Sequence, residues 1–472
     1  MGFLPGNQLA PQSTPSFLSL MSSNIRPRLT MLTLKRKWFL NNFVCRLPGR
    51  INVGLLMVCL IATLFAHPQQ VSGQDAQQRY DELLAEWQEV YVELTKVYGK
   101  FQYCEEWEAE ALQAEFLELK AKGDRLSDET VLAAADCVEE ATTPNPEMIE
   151  LLIPLPEKYY GDSKYEVSAR IGRALRKHNR DDFALMFNTL RSSFFSNDFE
   201  HSGKLFDEIL ARPEWLDENG EMPEALLPLY TTQKDLAVLW EKEQKLREAE
   251  ALTDHLPRIK FETTQGDIVV ELYEDQFPQF VNNLMCLIEE KEQPFYNDLA
   301  FSFSLLHQFA VTGSQSDDGT QTYPLGEISL DTIRESRGNF RGSFSFDIRP
   351  TRIGQVVTTG CQFVQIPIPE LNGNTLVLGR IIEGLEVVGK LEKTHELDEN
   401  NEVQPIEAVI PDRLKSVSVV RKQEGKVYSL TNGFGKKNAG EKQNAGEEKD
   451  AGEEKDAGAG AAANDDDDES RN

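Results

Sequence analysis

From Asp75 to about Leu252, apolar residues return every three or four positions, the spacing that gathers them on one face of a helix. Tyr80, Leu83, Leu84, Trp87, Val90, Tyr91, Leu94 and Val97 form a first stripe that ends near Gly99. Trp107, Ala111, Leu112, Ala114, Phe116 and Leu119 form a second. A third begins at Ser127, placed to cap a new helix with acidic residues in its first turn. Pro146, Pro154 and Pro156 then break the pattern, because proline cannot sit in a helix interior. Amphipathic segments resume at 164–177, 181–194 and 199–211, and a long charged helix is predicted over 223–251.

Past residue 257 the period shortens. Ile259 to Thr263 and Ile268 to Tyr273 are alternating or β-branched runs, and "TTQGD" between them predicts a hairpin. "PQFVNNLMCLIEEK" follows as an amphipathic helix, with Pro278 near its first turn and Phe280, Val281, Leu284, Met285 and Ile288 on its buried side. Several short strands come next. "NTLVLGRIIEGLEVVGKLEKT" then reads as a strand, a turn at Glu383-Gly384 and a helix from Leu385 to Leu391. This order is an α+β pattern compatible with a closed barrel capped by helices.

Five segments carry a family resemblance. "FETTQGDIVVELYED" is similar to the opening hairpin of the cyclophilin family of peptidyl-prolyl cis-trans isomerases, and "PFYNDLAF" to the run leading into its third strand. "RGSFSF" resembles its G-x-L-S-M segment, "CQFVQI" its S-Q-F-F-I strand, and "LNGNTLVLGRIIEGLEVVGKL" its L-D-G-x-H-T-V-F-G closure. The likeness covers about residues 259–393. It implies a cyclophilin-like closed β-barrel capped by helices; with the helical periodicity before it and the acidic repeats after it, the chain is expected to be multidomain, an all-α N-terminal region, then the barrel, then a disordered acidic tail. The helical region is expected to stack as tetratricopeptide-like pairs, although no repeat recurs cleanly at that period.

The resemblance also implies a reaction. Rotation about an X–Pro bond is slow because amide resonance imposes a barrier of about 18–20 kcal/mol. No nucleophile, metal or organic cofactor is needed; the site must bind the twisted amide better than either planar form. The family does so with an apolar pocket for the proline ring and an Arg, in its F-H-R motif, beside the proline nitrogen. Here the matching position is Phe303 without a gap, or Ser304 if the segment slides by one residue, so the cation is absent.

Other positions depart as well. Val311 or Thr312 stands where the family has Gln, Val364 replaces the second Phe of its S-Q-F-F run, and Phe346-Asp347 replaces Met-Ala. Glu370 and Thr375 replace the aromatic or His-type residues around L-D-G. Phe309, Gln362, Val364 and Leu371 remain as the implied substrate-binding set, with Gln362 to hydrogen-bond the peptide backbone. Ordinary barrel packing is the competing reading for the apolar three. Arg334, Arg337, Arg341, Arg349 and Arg352 are candidates to supply the cation from a loop, against the plainer reading of exposed surface arginines. His307 reads as a polar loop residue. Two functions stand: an isomerase assisting the folding of proline-containing clients, weakened by the missing Arg, or a non-catalytic peptide-binding or protein-binding scaffold.

The remaining features set the context. An apolar run from Gly54 to Ala66 follows an Arg/Lys cluster and precedes small residues at Val71-Ser72-Gly73. It is shorter than the roughly 20 residues that cross a bilayer, so it reads as an export signal, with an uncleaved membrane anchor as the alternative. The expected organisation is therefore 1–73 extension and signal, 75–255 helical, 257–425 barrel, and 435–472 an acidic tail of "AGEEKD"-type repeats with too little apolar bulk to fold. The net charge of −29 argues against a nucleic-acid partner. Six cysteines lack C-x-x-C or metal-type spacing. Cys104 and Cys137 leave two readings open, a disulfide in an exported protein or free thiols.

Overall fold

The computed structural model describes residues 74–101, 103–179, 181–290, 294–352, 354–398 and 402–429. The signal and anchor readings, Cys45, Cys59 and the acidic tail lie outside the described residues. Among the described residues, no helix is long and apolar enough to cross a membrane.

The chain divides into two compact units. One comprises the described residues up to Lys158 with Val167–Thr189; the other comprises Tyr159–Glu166 and the described residues from Leu190 on. The boundary thus runs elsewhere than residue 256, where the change of hydrophobic period falls.

In the first unit, helices α1 (Gln74–Phe101) and α2 (Glu106–Glu140) pack as an antiparallel hairpin. Tyr80, Leu84, Val90 and Val97 of α1 face Leu126, Val131, Ala134 and Val138 of α2, all nearly inaccessible. The sequence predicts two helices where α2 is one, and Ser127 is an interior residue of it rather than a cap. Gly123 does not interrupt it, because a Cβ there would rest 3.5 Å from both Val90 and Leu94, an ordinary packing distance. Trp107 is 79% exposed and contributes nothing to a core stripe.

The prolines also act differently from the expectation. Pro146 sits in the first turn of α3 (Pro146–Leu152) behind an Asn145 cap, and Pro156 in the first turn of α4 (Leu155–Gly161). Both start helices, where the missing N–H costs nothing. Cys104 and Cys137 are not joined by a disulfide. They lie near opposite ends of α2, about 45 Å apart at 1.5 Å per residue, far beyond disulfide reach. The helices α5 (Tyr165–Arg176), α6 (Phe183–Phe195), α7 (Phe199–Leu210) and α8 (Leu227–Thr253) fall close to their predicted spans. The helices that precede the barrel strands range from 7 to 35 residues.

The second unit contains the barrel. Its strands are β1 (Arg258–Thr263), β2 (Asp267–Leu272), β3 (Leu299–Ala300), β4 (Phe303–Leu305), β5 (Phe309–Thr312), β6 (Pro324–Ile328), β7 (Ser343–Pro350), β8 (Gln355–Val364), β9 (Thr375–Glu383), β10 (His395–Leu397), β11 (Val403–Pro405) and β12 (Arg413–Arg421). The sheet order runs β4-β5-β8-β7-β9-β2-β1-β12-β3. β3 and β4 are two residues apart, so one run of chain borders β12 on one side and β5 on the other, and the sheet closes on itself. Phe301, in the gap, keeps the seam with an N–H bond to Asp412. β12, paired with β1 and β3, is therefore the closing strand.

Alternation sends Phe261, Phe301, Phe344, Phe346 and Phe363 inward, each under 2% exposed. Their rings meet edge to face, Phe261 on Phe363 at 5.0 Å and Phe344 on Phe346 at 5.0 Å. Helix α9 (Pro278–Ile288) adds Phe280, Val281, Leu284, Met285 and Ile288 to this core, as its stripe predicts. Short helices α10 (Leu330–Arg334) and α11 (Leu385–Lys390) add Ile333 and Val387-Val388. Gly384 precedes α11 with φ +83°; a Cβ there would meet the Asp267 carbonyl at 2.1 Å, so only glycine fits.

Candidate functional site

The pairing of four strands builds a row on the outside of the barrel. Phe303 lies opposite Val311, Val311 opposite Gln362, and Gln362 opposite Ser345. Directly paired residues share a face, so these four side chains form one line across β4, β5, β8 and β7. The next row is Leu305, Phe309 and Val364. Ser304 pairs with Ala310, which pairs with Phe363, and all three point into the core. Phe303, not Ser304, therefore occupies the groove position.

Phe303 is stacked between two rings. Phe309 lies 5.1 Å away at 18°, and His395, from the β10–β11 hairpin, lies 4.3 Å away at 26°. β10 reaches this place by parallel pairing of His395 with Leu305. Phe303, Phe309 and Val311 are half-buried, so the floor of the groove is apolar and partly open. Val364 differs from its expected role: it is fully buried and offers no surface to a ligand. The reason lies one residue on, where the Gln365 carbonyl accepts from Arg341, which also bonds the Ser163 carbonyl and Glu166. That end of β8 is roofed by the segment from Tyr159 to Glu166. Leu371 is half-buried in a turn, and its carbonyl accepts from Thr375; among the described residues, no sheet pairing ties it to the row.

Gln362 sits at the centre, 6% exposed. Its amide donates to Asp347 Oδ1 at 2.5 Å, and its own Oε1 is buried without a partner among the described residues. Burial pushes the Asp347 carboxyl above its ordinary pKa, against the Gln362 hydrogen bond and the charge of Arg349. The sequence marks Asp347 only as part of the Phe346-Asp347 departure from the family's Met-Ala pair.

None of the five candidate arginines stands in the row to replace the missing cation. Arg334 is solvent-exposed beside Asp331. Arg337 and Arg341 are not surface residues; each is 7% exposed and committed elsewhere. Arg337 pairs with Glu243 and Glu250 of α8 and covers the Tyr273 ring at 3.5 Å. Arg341 pairs with Glu166 at 2.6 Å. Arg349 and Arg352 are exposed.

His307 is no plain loop residue either. Its Nδ1 lies 2.9 Å from the Tyr165 hydroxyl and 3.1 Å from Ser163 Oγ. Burial, aided by the charges of Lys393 and Arg191, pushes its pKa down to about 4, so it is neutral at pH 7. These contacts bind helical residues to the barrel within this unit, and nothing in the apolar periodicity marks them.

A family model described as cyclophilin type peptidyl-prolyl cis-trans isomerase/CLD matches residues 258–412. Among solved structures, a cyclophilin type peptidyl-prolyl cis-trans isomerase of Cryptosporidium parvum is similar at 18% identity, with a TM-score of 0.27, covering 35% of this chain and 99% of that one. A second structure of it, in the presence of the dipeptide Ala-Pro, is similar at 17% identity and TM-score 0.28, with the same coverage. No curated protein sequence matches the chain.

Proposed function

Residues 258–412 place a cyclophilin-type peptidyl-prolyl cis-trans isomerase domain in this chain, and from that premise we propose that its outer groove binds proline-containing segments of other polypeptides and isomerises them slowly. The observation that carries this is the row Phe303–Val311–Gln362–Ser345. It presents an apolar aromatic floor beside a buried carbonyl oxygen that lacks a donor.

The chemistry follows from what the row offers. A proline ring rests against Phe309 and the edge of Phe303, where desolvation favours it over water. The Gln362 side chain turns outward on binding so that Oε1 accepts a peptide N–H, fixing the chain while the imide turns. Among the described residues, no cation stands in the row to supply the charge that would stabilise the pyramidal nitrogen. A hydrogen bond to a charged group contributes about 1.5–3 kcal/mol, so its absence slows the reaction by roughly one to two decades. A protease-coupled prolyl-peptide assay tests this. The full chain should exceed buffer by a small factor, and Gln362→Ala should lower the rate. A rate equal to buffer at micromolar protein would remove the catalytic part.

One observation favours the second reading, a binder without turnover. His395 and Phe309 hold Phe303 from both sides, so the place of the cation is filled by a packed ring. The site of action we propose is outside the cytoplasm, assisting folding. The basis is the basic cluster followed by the apolar run Gly54 to Ala66. Sequencing the N-terminus of the mature protein tests it; a retained Met1 or Met31 on a cytoplasmic product would reject export.

A further inference from the structure

The β10–β11 hairpin follows the last of the five family-like segments, and it brings a titratable ring to the groove. His395 pairs with Leu305, and the Thr394 N–H donates to the Ser304 carbonyl at 3.1 Å. Paired residues share a face, so His395 projects from the outer side of the barrel with Leu305 and Phe303. Its ring lies 4.3 Å from that of Phe303, which lies 5.1 Å from that of Phe309, with interplanar angles of 26° and 18°. Three rings thus stand in one column: Phe309 at the proline seat, Phe303 where the family has its cation, and His395 beyond it. His395 is half-buried, so the column ends on a ring that meets solvent.

Hydrogen bonding selects one tautomer of the imidazole. Thr394 Oγ1 accepts the Ser304 N–H at 2.8 Å and lies 2.9 Å from His395 Nδ1. Its single hydrogen goes to Nδ1, so the neutral ring carries its own hydrogen on Nε2, across the ring from Thr394. Burial holds the pKa of His395 below the ordinary 6.5, so the ring gains its charge only in mildly acidic solution. The charged groups nearby leave that step to the ring. The Lys393 ammonium, two positions away, donates to the Gly389 carbonyl at 3.3 Å. Glu396 is exposed, and strand alternation turns it to the opposite face. The strands β4, β5 and β11 carry no ionisable side chain.

We infer that His395 is a catalytic residue of this groove, its Nε2–H giving the turning prolyl nitrogen the donor, and once protonated the charge, that the row lacks. This rests on the proline-binding reading of the groove. Reach agrees: one residue of extended chain spans about 3.3 Å, less than the 4.3 Å between the His395 and Phe303 rings. A peptide laid across the column therefore brings its imide nitrogen within about one residue of the imidazole. No covalent bond is made or broken. Nε2–H donates to the nitrogen lone pair as the amide leaves planarity, and the proton stays on Nε2 when resonance returns. A charge-assisted bond is roughly twice as strong as a neutral one, so the isomerase is faster in mild acid than at neutral pH.

The test is NMR exchange spectroscopy of a short Ala-Pro peptide with the full chain from about pH 8 to pH 5.5, the buffer rate being subtracted at each pH. The catalysed exchange should rise about fivefold over that range. His395→Gln keeps a neutral polar side chain, and its profile should be flat and lie at or below the pH 8 level. His395→Arg carries a permanent charge that can stack on Phe303, and it should hold the raised rate at pH 8. His307, with a pKa of about 4, stays neutral throughout. Asp347, whose carboxyl burial pushes up, titrates alike in all three proteins, so the difference between profiles isolates His395. Melting curves establish that each variant is folded, and His395→Arg keeps the test decisive if His395→Gln is not. Parallel profiles of the unaltered chain and His395→Gln, or no gain at pH 8 in a folded His395→Arg, would overturn the role of His395. Saturable peptide binding without catalysis at any pH would overturn it too, while leaving the proline seat. Failure of the peptide to bind would instead remove the seat, and the role of His395 with it.

Discussion

Phe363 and Gln362 are neighbours on β8 and opposites in circumstance. Phe363 points inward, where Phe261, Phe301 and Phe344 enclose it and no polar atom needs a partner. Gln362 points outward, with one amide atom bonded and the other buried without a partner. The inside must fill a fixed volume, so its residue types are dictated by packing. The outer row answers only to what binds it, and there Phe303 and Val311, with Asp347 beside them, depart from the pattern of the family it resembles. Fold and chemistry are therefore recorded on alternate residues of the same strands, and one can persist while the other changes.

The largest effect should come from the inner side. Phe363→Ala removes a ring held by three others and should destabilise the barrel by about 3–5 kcal/mol, read as a lower denaturant midpoint. A loss below about 1 kcal/mol would mean that the core is not the ordered aromatic cluster described.

On the outer side, Phe303→Arg restores a cation to the row and should raise kcat/KM for a prolyl peptide by about one to two decades. The stack with Phe309 and His395 is lost in the exchange, so stability should fall modestly. If the rate does not rise while the variant stays folded, the missing cation is not what limits turnover.

The smallest effect concerns the contacts between helical residues and the barrel. His307 is held neutral in the fold, with its pKa depressed from 6.5 to about 4. Between those values the unfolded chain binds the extra proton and the folded one does not. The contribution of His307 is therefore complete above pH 6.5 and is lost as pH falls toward 4. His307→Asn keeps a residue tolerant of the positive φ of 61° at this position. Its melting temperature should fall less steeply than that of the unaltered chain over this window. Parallel pH profiles would show that His307 is not the titrating group.

Much of the fold was legible. The hairpin, α9 and the strand leading into α11 lie within a residue or two of where alternation and the turn residues put them. Those signals are local: they depend on period and on Gly and Pro, which act through their own backbone. Helix starts at Pro146 and Pro156 were misread as breaks because the same residue opens a helix or ends one according to its neighbours. Asp347, His395, Arg341 and His307 were not legible as partners. Their roles depend on pairs separated by long stretches of chain, such as Arg341 with Glu166 and Phe303 with His395, and no periodicity encodes these.

The claim on which the rest depends is that the outer row seats a proline peptide. The most direct measurement is a titration of an isotope-labelled full chain with a short Ala-Pro peptide, following backbone amide signals. Saturable shifts should concentrate at Val311, Gln362, Ser345 and the Phe303–Phe309 segment, and Gln362→Ala should weaken them. Shifts confined to other surfaces, or none at millimolar peptide, would contradict the account.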